Sequence, residues 1–435
     1  MNTTEPISLE PPRGMRDFYP EEMAWRNRVF DAFRRSAALF GFAPYDACVV
    51  ERLEVLERKS GEEVSAQIYT FQDKSGRNLA LRPEMTPTLA RMVAARQGQL
   101  AFPIKWSAIA QCFRYERMTR GRKREHYQWN LDIIGEAGVT AEAEVLAAAA
   151  GALRLMGMPD GAYRIHVNNR ALLSELLLKL GIGARHHAAV FLALDKRGKL
   201  PDEEIAALLQ EEGVPADVIP RAFELMAVES LDQAAEMAGP DSPAVARLRE
   251  LFELAERYGI ADRLCFDIAV IRGLAYYTDI VFEAFDTNRK FRAIFGGGRY
   301  DNLLTTMGGA PTPAVGLGFG DVVIVEILKE LLGAEAGQPR DGVAIGYMFA
   351  EQRDAAVSLA TRLRSEGRSV NLALAPQKPK AFFSRAGSGT CSHAVFIGPD
   401  DVAAGCAQIK DLETREASDI ALYSHCQETT CQRPV

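Results

Sequence analysis

The sequence predicts an α+β protein: a domain of mixed strands and helices broken by a helical insertion, then a linker and a small α/β domain with a largely parallel sheet. Three observations support this. Strand-like segments separated by turn residues occupy residues 69–81, 111–135 and 266–285. Short amphipathic helices punctuated by glycine and proline fill residues 169–258. Beyond Gly342, the apolar runs VAIGYMF, SVNLALA and AVFIGP alternate with helical segments. The divisions are therefore 1–168 and 259–332 for the main domain, 169–258 for the insertion, 333–342 for the linker, and 343–435 for the α/β domain and tail.

Pro20 at a first helical position, followed by Glu21 and Glu22 at the positive end of the dipole, opens a helix with Val29, Phe30, Phe33, Ala37 and Phe40 on its apolar side. Gly41 ends it. Strands at 69–71 and 79–81 flank a turn at 74–77, and LRPEMTPTLAR then opens a second helix with Arg82, Pro83, Glu84 and Thr86 at its start. Residues 141–156, rich in alanine and leucine, form a core helix. ALLSELLLKLG and PDEEIAALLQEEG are typical of the insertion. Strands return at 266–271 and 276–285, pass through Gly296, Gly297 and Gly298, and lead to a helix after Gly320. LGAEAGQPRDG, ending at Gly342, is the linker, and a long helix follows from about residue 352 to 367.

The 435 residues, 48% hydrophobic and 25% charged, suffice for two or three packed cores. A net charge of −7 excludes a protein that coats nucleic acid with its whole surface, so any such contact must use local patches. Seven scattered cysteines without a CxxC pair fit reduced thiols better than a disulfide framework. His425, Cys426 and Cys431 are half of a zinc ligand set and give no metal site. The first residues lack a signal-peptide pattern, and the most apolar helix is interrupted by Glu142, Glu144 and Arg154, so a cytoplasmic protein without a membrane association is expected.

The densest chemistry lies in residues 113–135, FRYERMTRGRKREHYQWNLDIIG. If residues 111–116 are extended, Arg114 and Glu116 share one face, and Phe113 and Tyr115 the other. On the return segment Gln128, Asn130 and Asp132 share a face opposite Trp129, Leu131 and Ile133, giving an apolar floor and a polar working surface. Arg117, Arg120, Arg122, Lys123 and Arg124 crowd the connector around Gly121. Read from composition, this is either a solvated basic turn or a binding site for an anion. The glycines at 296–298 and in GLGFGD at 316–321 match neither GxxxxGK[ST] nor an early GxGxxG, which excludes P-loop and Rossmann sites. They either form tight turns or let backbone approach a ligand.

Taken together, these segments resemble the class II aminoacyl-tRNA synthetases, and most closely the histidyl-tRNA synthetase family. FRYER…RGRKREHYQWNLDIIG resembles the second class II motif, and RGLAYYTDIVFE and GGGRYDNL resemble the two histidine-specific signatures. IKDLETRE is similar to the end of the family's anticodon-binding domain, and the likeness runs from PPRGMRDFYP to about Ala421. The resemblance implies a class II catalytic domain, an antiparallel sheet flanked by helices, with a helical insertion and a C-terminal α/β anticodon-binding domain. It implies activation of L-histidine by ATP, transfer to the 3′ end of tRNA(His), Mg2+ as cofactor, and a homodimer.

Residue by residue, the resemblance assigns Arg114 and Arg272 to the α-phosphate and the substrate carboxylate, as fixed positive charge between two anions. Glu116 would accept from the adenine amino group, and Arg122 would meet the outer phosphates. Glu84, Met85 and Thr86 would hold the ammonium of histidine, with Gln128, Asp132, Tyr276 and Tyr277 around the rest. The basic loop would also reach the acceptor end of tRNA, and Lys378, Lys380 and Arg385 are candidate anticodon contacts.

Three departures from the family pattern stand out. Cys48 replaces a proline of the first motif, Ala275 an aspartate of RGLAYYT, and Val322 and Val323 the Glu-Arg of the third motif, whose arginine would hold the γ-phosphate. Arg122, or Arg299 with magnesium, is expected to carry that load. The alternative is a non-catalytic, histidine-binding regulatory paralogue of ATP phosphoribosyltransferase, which shares the catalytic fold. The absent arginine and Ala275 favour that alternative. The basic loop, Arg272, the glycine signature and the C-terminal domain favour the enzyme.

Overall fold

The computed structural model describes residues 8–58, 66–118, 121–194, 200–225, 228–271, 276–333 and 340–423. The chain forms two compact units, Met1–Ala334 and Glu335–Val435. In the first, strands β1 (Ala43–Pro44), β2 (Val50–Arg52), β3 (Tyr69–Gln72), β4 (Asn78–Leu81), β5 (Ile104–Phe113), β6 (Glu125–Ile134), β7 (Tyr163–Asn169), β8 (Leu264–Phe266), β9 (Ile280–Asp286), β10 (Phe295–Arg299) and β11 (Ala314–Gly320) build two sheets. The larger has eight strands in the order β1-β5-β6-β11-β10-β9-β7-β8, and β2-β4-β3 form the smaller. From β5 to β7 every pairing is antiparallel. The outer pairs β1/β5 and β7/β8 are parallel.

That last pairing explains the helical insertion. Adjacent parallel strands need a long crossover, and the helices between Arg170–Lys179 and Pro243–Arg257 supply it. They are not separately packed, because Leu172, Ile205 and Leu248 share one core with Trp129 and Val145.

One face of the large sheet is closed by the helices Pro20–Leu39 and Thr140–Leu155. Trp129, Leu131 and Ile133 of β6 and Val315, Leu317 and Phe319 of β11 lie in this core. Phe33 from the first helix stacks on Trp129 at 4.6 Å and meets Phe319 edge-on at 4.9 Å. The two helices approach closely through alanines, with the Ser36 hydroxyl donating to the Ala148 carbonyl at 2.7 Å. Burying one such aromatic ring stabilises the fold by about 1.5–3 kcal/mol.

Several boundaries differ from the sequence reading. β5 stops at Phe113, because Arg114 turns away to pair its N–H with the Arg124 carbonyl at 2.9 Å while Tyr115 N–H takes the Gln67 carbonyl at 2.7 Å. The second helix begins only at Thr86. Arg82 precedes it and is buried, lacing the lead-in to the carbonyls of Gln111 and Ala47, each at 2.9 Å. Cys48 lies between β1 and β2 rather than inside one long strand, and Phe266 ends β8, so the expected strand at 266–271 is mostly turn. Part of the expected linker, residues 334–339, and all of His425, Cys426 and Cys431 lie outside the described residues.

In the second unit β12 (Val343–Tyr347), β13 (Val370–Leu372), β14 (His393–Ile397), β15 (Cys406–Asp411) and β16 (Ala417–Ala421) form a sheet in the order β13-β12-β14-β15-β16. The first three strands are parallel, but β15 and β16 are antiparallel, which corrects the expectation of a largely parallel sheet. Residues 398–405, with one short helix, are too few for a crossover, so the chain returns beside β14 in the opposite sense.

Gly297 is where the backbones of the large sheet leave least room for a side chain. A methyl group there would stand 2.1 Å from the Gly316 carbonyl oxygen and 2.8 Å from the Phe282 ring. Gly297→Ala should destabilise the protein by about 1–3 kcal/mol or more, while Gly161→Ala, where nothing lies within 4 Å, should be nearly neutral. Chemical denaturation of the two variants checks this, and equal stabilities would contradict it.

Candidate active site

The open face of β6, β10 and β11 carries the site. β6 presents Gln128, Asn130 and Asp132, but the opposing positions of β11 are glycines. A methyl on Gly316 would meet Asp132 Oδ1 at 2.0 Å, and one on Gly318 would meet Gln128 Nε2 at 2.4 Å. The glycines therefore admit these side chains and leave the sheet surface bare beside them, which resolves the two readings of GLGFGD.

A cavity of about 150 Å3 stands on this surface, lined by Glu84, Thr86, Arg114, Gln128, Asn130, Tyr276, Tyr277 and Tyr300 among others. The Tyr276 hydroxyl donates to Glu84 Oε2 at 3.1 Å, and that of Tyr300 donates to Asp132 Oδ1 at 2.6 Å. Glu84 Oε1, Asn130 Oδ1 and Asp132 Oδ2 are buried acceptors without a hydrogen-bond partner among the described residues. Buried acceptors left this way cost about 1–3 kcal/mol each unless a ligand supplies donors. Burial drives the Asp132 carboxyl up to about 7, against the Tyr300 hydrogen bond that lowers it. Burial and the Asp132 charge raise the Tyr300 phenol well above its usual value, so it remains a donor.

A second cavity of about 390 Å3 adjoins the first, sharing Arg114, Gln128, Gly296 and Gly318 with it. It is further lined by Glu116, Arg122, Lys123, His126, Glu283 and Arg292. Arg114 belongs to both. Its Nε donates to the Pro83 carbonyl at 2.9 Å, and its Nη1 lies 3.8 Å from Glu116 Oε1. Glu116 is also ion-paired with Arg122. Desolvation and the Arg114 charge hold the His126 imidazole neutral, its pKa pushed down to about 3.

Most of the expected residues converge, but several of the positions singled out from the sequence do not line the site or lie outside the described residues. Met85 is fully buried over Ala108, Ala110 and Cys112, so its side chain forms floor beneath the site instead of lining it. Arg272 and Ala275 lie outside the described residues, as does Arg120 of the basic loop. Arg124 is structural, its guanidinium 3.7 Å from the Tyr115 ring centroid and its N–H on the Gly14 carbonyl at 3.0 Å. Arg299 is corrected: it is buried in a two-pronged pair with Glu142, both contacts at 2.6 Å, and donates to the carbonyls of Glu136 and Gly138. It cannot reach a phosphate in the cavity.

The sequence reading placed Asn130 on the working face without giving it a role, and missed His126 and Tyr300 as wall residues. For His126 the signal was strand parity with Gln128 and Asp132, while Tyr300 was visible only as part of GGGRYD. In the second unit a cavity of about 420 Å3 is lined by Asn371, Gln377, Phe382 and Arg385 among others. Lys378 and Lys380 are exposed nearby in sequence but do not line it.

An antiparallel sheet with a bare glycine track, and a polar pocket joined to a cation-lined one, define the catalytic fold of a class II aminoacyl-tRNA synthetase. The family model described as "Histidyl-tRNA synthetase" matches residues 14–320, and the chain belongs to that family. A model described as "Anticodon binding domain" matches residues 340–426. The chain is 42% identical over 417 residues to the chloroplastic/mitochondrial histidine–tRNA ligase of Arabidopsis thaliana, covering 96% of this chain and 86% of that one. It is 38% identical to the histidine–tRNA ligase of Opitutus terrae, covering 94% of each. The crystal structure of histidyl-tRNA synthetase from Nostoc sp. PCC 7120 has the same fold, with a TM-score of 0.80 at 24% identity over 96% of this chain and 97% of that one.

Asp132 gives a test with a defined sign. Its carboxyl ionises at about 4 when unfolded and at about 7 when folded. Between those values the folded state keeps a proton that the unfolded state has lost, so stability falls as pH rises from about 4 to about 7 and then levels. Asp132→Asn removes this dependence. Melting of the ligand-free variant should match the wild type at about pH 4 and exceed it by on the order of 3–4 kcal/mol above about pH 7. A pH-independent difference would refute it.

Proposed function

We propose that the two joined cavities activate L-histidine with ATP and pass it to tRNA(His), the activity of a histidine–tRNA ligase. The observation that carries the site assignment is Arg114, the charged side chain common to both cavities. Histidine occupies the smaller one. Its ammonium and imidazole donors meet Glu84, Asn130 and Asp132, each of which has one buried oxygen without a hydrogen-bond partner among the described residues. Thr86, Gln128, Tyr276 and Tyr277 complete the enclosure.

ATP occupies the larger cavity, with Glu116 toward the adenine and Arg122 toward the outer phosphates. The histidine carboxylate, already ionised, attacks the α-phosphorus and pyrophosphate leaves, so no general base is required. What the step needs is positive charge where two anions meet. Arg114 supplies it at the junction, and Arg272 is proposed to supply it from the other side. A ribose hydroxyl at the 3′ end of tRNA then attacks the activated carbonyl, and AMP departs.

Mg2+ is proposed to enter with the nucleotide. Among the described residues no three potential metal ligands cluster, but a magnesium ion on phosphate needs only one or two protein carboxylates. Glu283 lines the cavity and suits that role. The ion would neutralise phosphate charge.

The match of residues 340–426 to an anticodon-binding domain supports the ligase over a purely regulatory histidine-binding protein, and Arg385 is the proposed anticodon contact. Among the described residues no helix is long and apolar enough to cross a membrane. A cytoplasmic setting is proposed, and free Cys48, Cys112, Cys265, Cys391 and Cys406 are compatible with it.

Histidine-dependent ATP–pyrophosphate exchange and charging of tRNA(His) test the reading, and the absence of both would overturn it. Arg114→Ala should lower the exchange rate by about 10²–10³, and an unchanged rate would remove Arg114 from the chemistry. A homodimer is also proposed, through the sheet edge at β1, where an apolar cleft of about 400 Å3 is lined by Ala37, Phe42, Pro44 and Tyr45. Sedimentation at micromolar concentration should give twice the chain mass, and a monomer would contradict it.

A further inference from the structure

The third-motif position that would hold a phosphate-binding arginine is apolar here, and the structure shows what stands next to it. Val322 and Val323 line the larger cavity, as do the cations Arg114, Arg122, Lys123 and Arg292. Arg292 comes from the loop between β9 and β10. A methyl built on Gly121 would lie 3.4 Å from Val323 Cγ2 and 4.0 Å from Arg292 Cγ, so the hinge of the basic loop, the apolar replacement and the stem of Arg292 meet at one point on the wall.

The loop RKFR contains three cations, and two are committed elsewhere. Arg289 pairs with Asp267 at 3.2 Å, and Lys290 pairs with Glu330. Arg292 has no hydrogen bond or ion pair among the described residues, whereas Arg114 and Arg122 both face Glu116. Its backbone is nevertheless fixed. The Asp286 carboxylate accepts from the N–H groups of Lys290 and Phe291, each at 2.9 Å, and Ile294 N–H donates to the Ala284 carbonyl at 2.7 Å. Phe291 packs on the core on one side and Ile294 is buried on the other. A guanidinium carried by a pinned loop, beside a cavity and without a carboxylate ion-paired to it among the described residues, is ready to bind an anion through its planar fork of donors.

We infer that Arg292 binds the outer phosphates of ATP, supplying the charge that Val323 lacks. This rests on the assignment of the larger cavity to ATP, and the experiment separates the two. Equilibrium binding of ATP and of AMP is measured on the full-length protein with and without Arg292→Ala, in the presence of magnesium chloride and of histidine as a check on the fold. Arg292→Ala should weaken ATP by about tenfold or more, as loss of a charge-assisted contact does, while AMP and histidine binding stay unchanged. Arg292→Lys should fall between. Equal weakening of ATP and AMP, or no change in either, would overturn the inference with the cavity assignment intact. Failure of the wild-type protein to bind either nucleotide would overturn both.

Discussion

The site depends on one steric constraint: β10 and β11 must be bare on one face while carrying a dense aromatic core on the other. Side chains alternate along a strand, so Leu317 and Phe319 face the helices and Gly316 and Gly318 face the site. The missing side chains are the space into which Asp132 and Gln128 fold, at distances that no β-carbon could tolerate. Glycine in a strand interior costs conformational entropy and packing. Here the cost is offset by the opposite face, where Phe33, Trp129, Phe295 and Phe319 pack ring on ring. The core helices are thus part of the catalytic design, because they hold flat a sheet that has little to hold it on its working side.

On that surface the pocket is built at the expense of the fold's own stability. Three acceptors are buried without a donor among the described residues, and burial holds the Asp132 carboxyl at about 7 despite the Tyr300 hydrogen bond. A ligand bearing an ammonium and two ring nitrogens removes these penalties together, so binding draws on free energy already stored in the fold. The same logic gives discrimination. An analogue lacking a ring N–H would leave an acceptor buried and unpaired, a loss that can reach about 10⁴–10⁵ in specificity.

Much of this was legible in the sequence, for reasons of parity. Alternation in β6 put Gln128, Asn130 and Asp132 together and separated them from Trp129 and Leu131, and the structure keeps both faces. The helix from Pro20 was equally plain from its proline, its acidic first turn and its glycine stop. What failed were features set by partners distant in the chain. Met85 reads like its neighbours Glu84 and Thr86, but its direction is fixed by Ala108, Ala110 and Cys112 beneath it. The second unit's sheet turned antiparallel because of the length of a connection, which an apolar-run pattern does not weigh.

Arginine availability is the sharpest example of that limit. Arg16, Arg82, Arg124, Arg292 and Arg299 are alike in sequence, but only carboxylates, carbonyls and rings brought by the fold decide which of them is free. Arg299 lies in a conspicuous GGGRYD signature and is wholly committed to Glu142 and two carbonyls, tying β10 to the core helix. Asp321 removes another source of charge. The helix Asp321–Leu332 begins at the cavity rim, and its N-terminus would project positive potential, but Asp321 sits there with Arg16 at 2.9 Å and the Tyr127 N–H at 2.8 Å on its carboxylate. With Val322 and Val323 next, that helix brings no net cation to the site. The cations that line the cavity all come from outside that helix, from Arg114, from the basic connector before β6 and from the turn after β9. On the proposed assignment of that cavity to ATP, the charge facing the outer phosphates is divided between a connector that turns at Gly121 and a loop pinned by the Asp286 carboxylate.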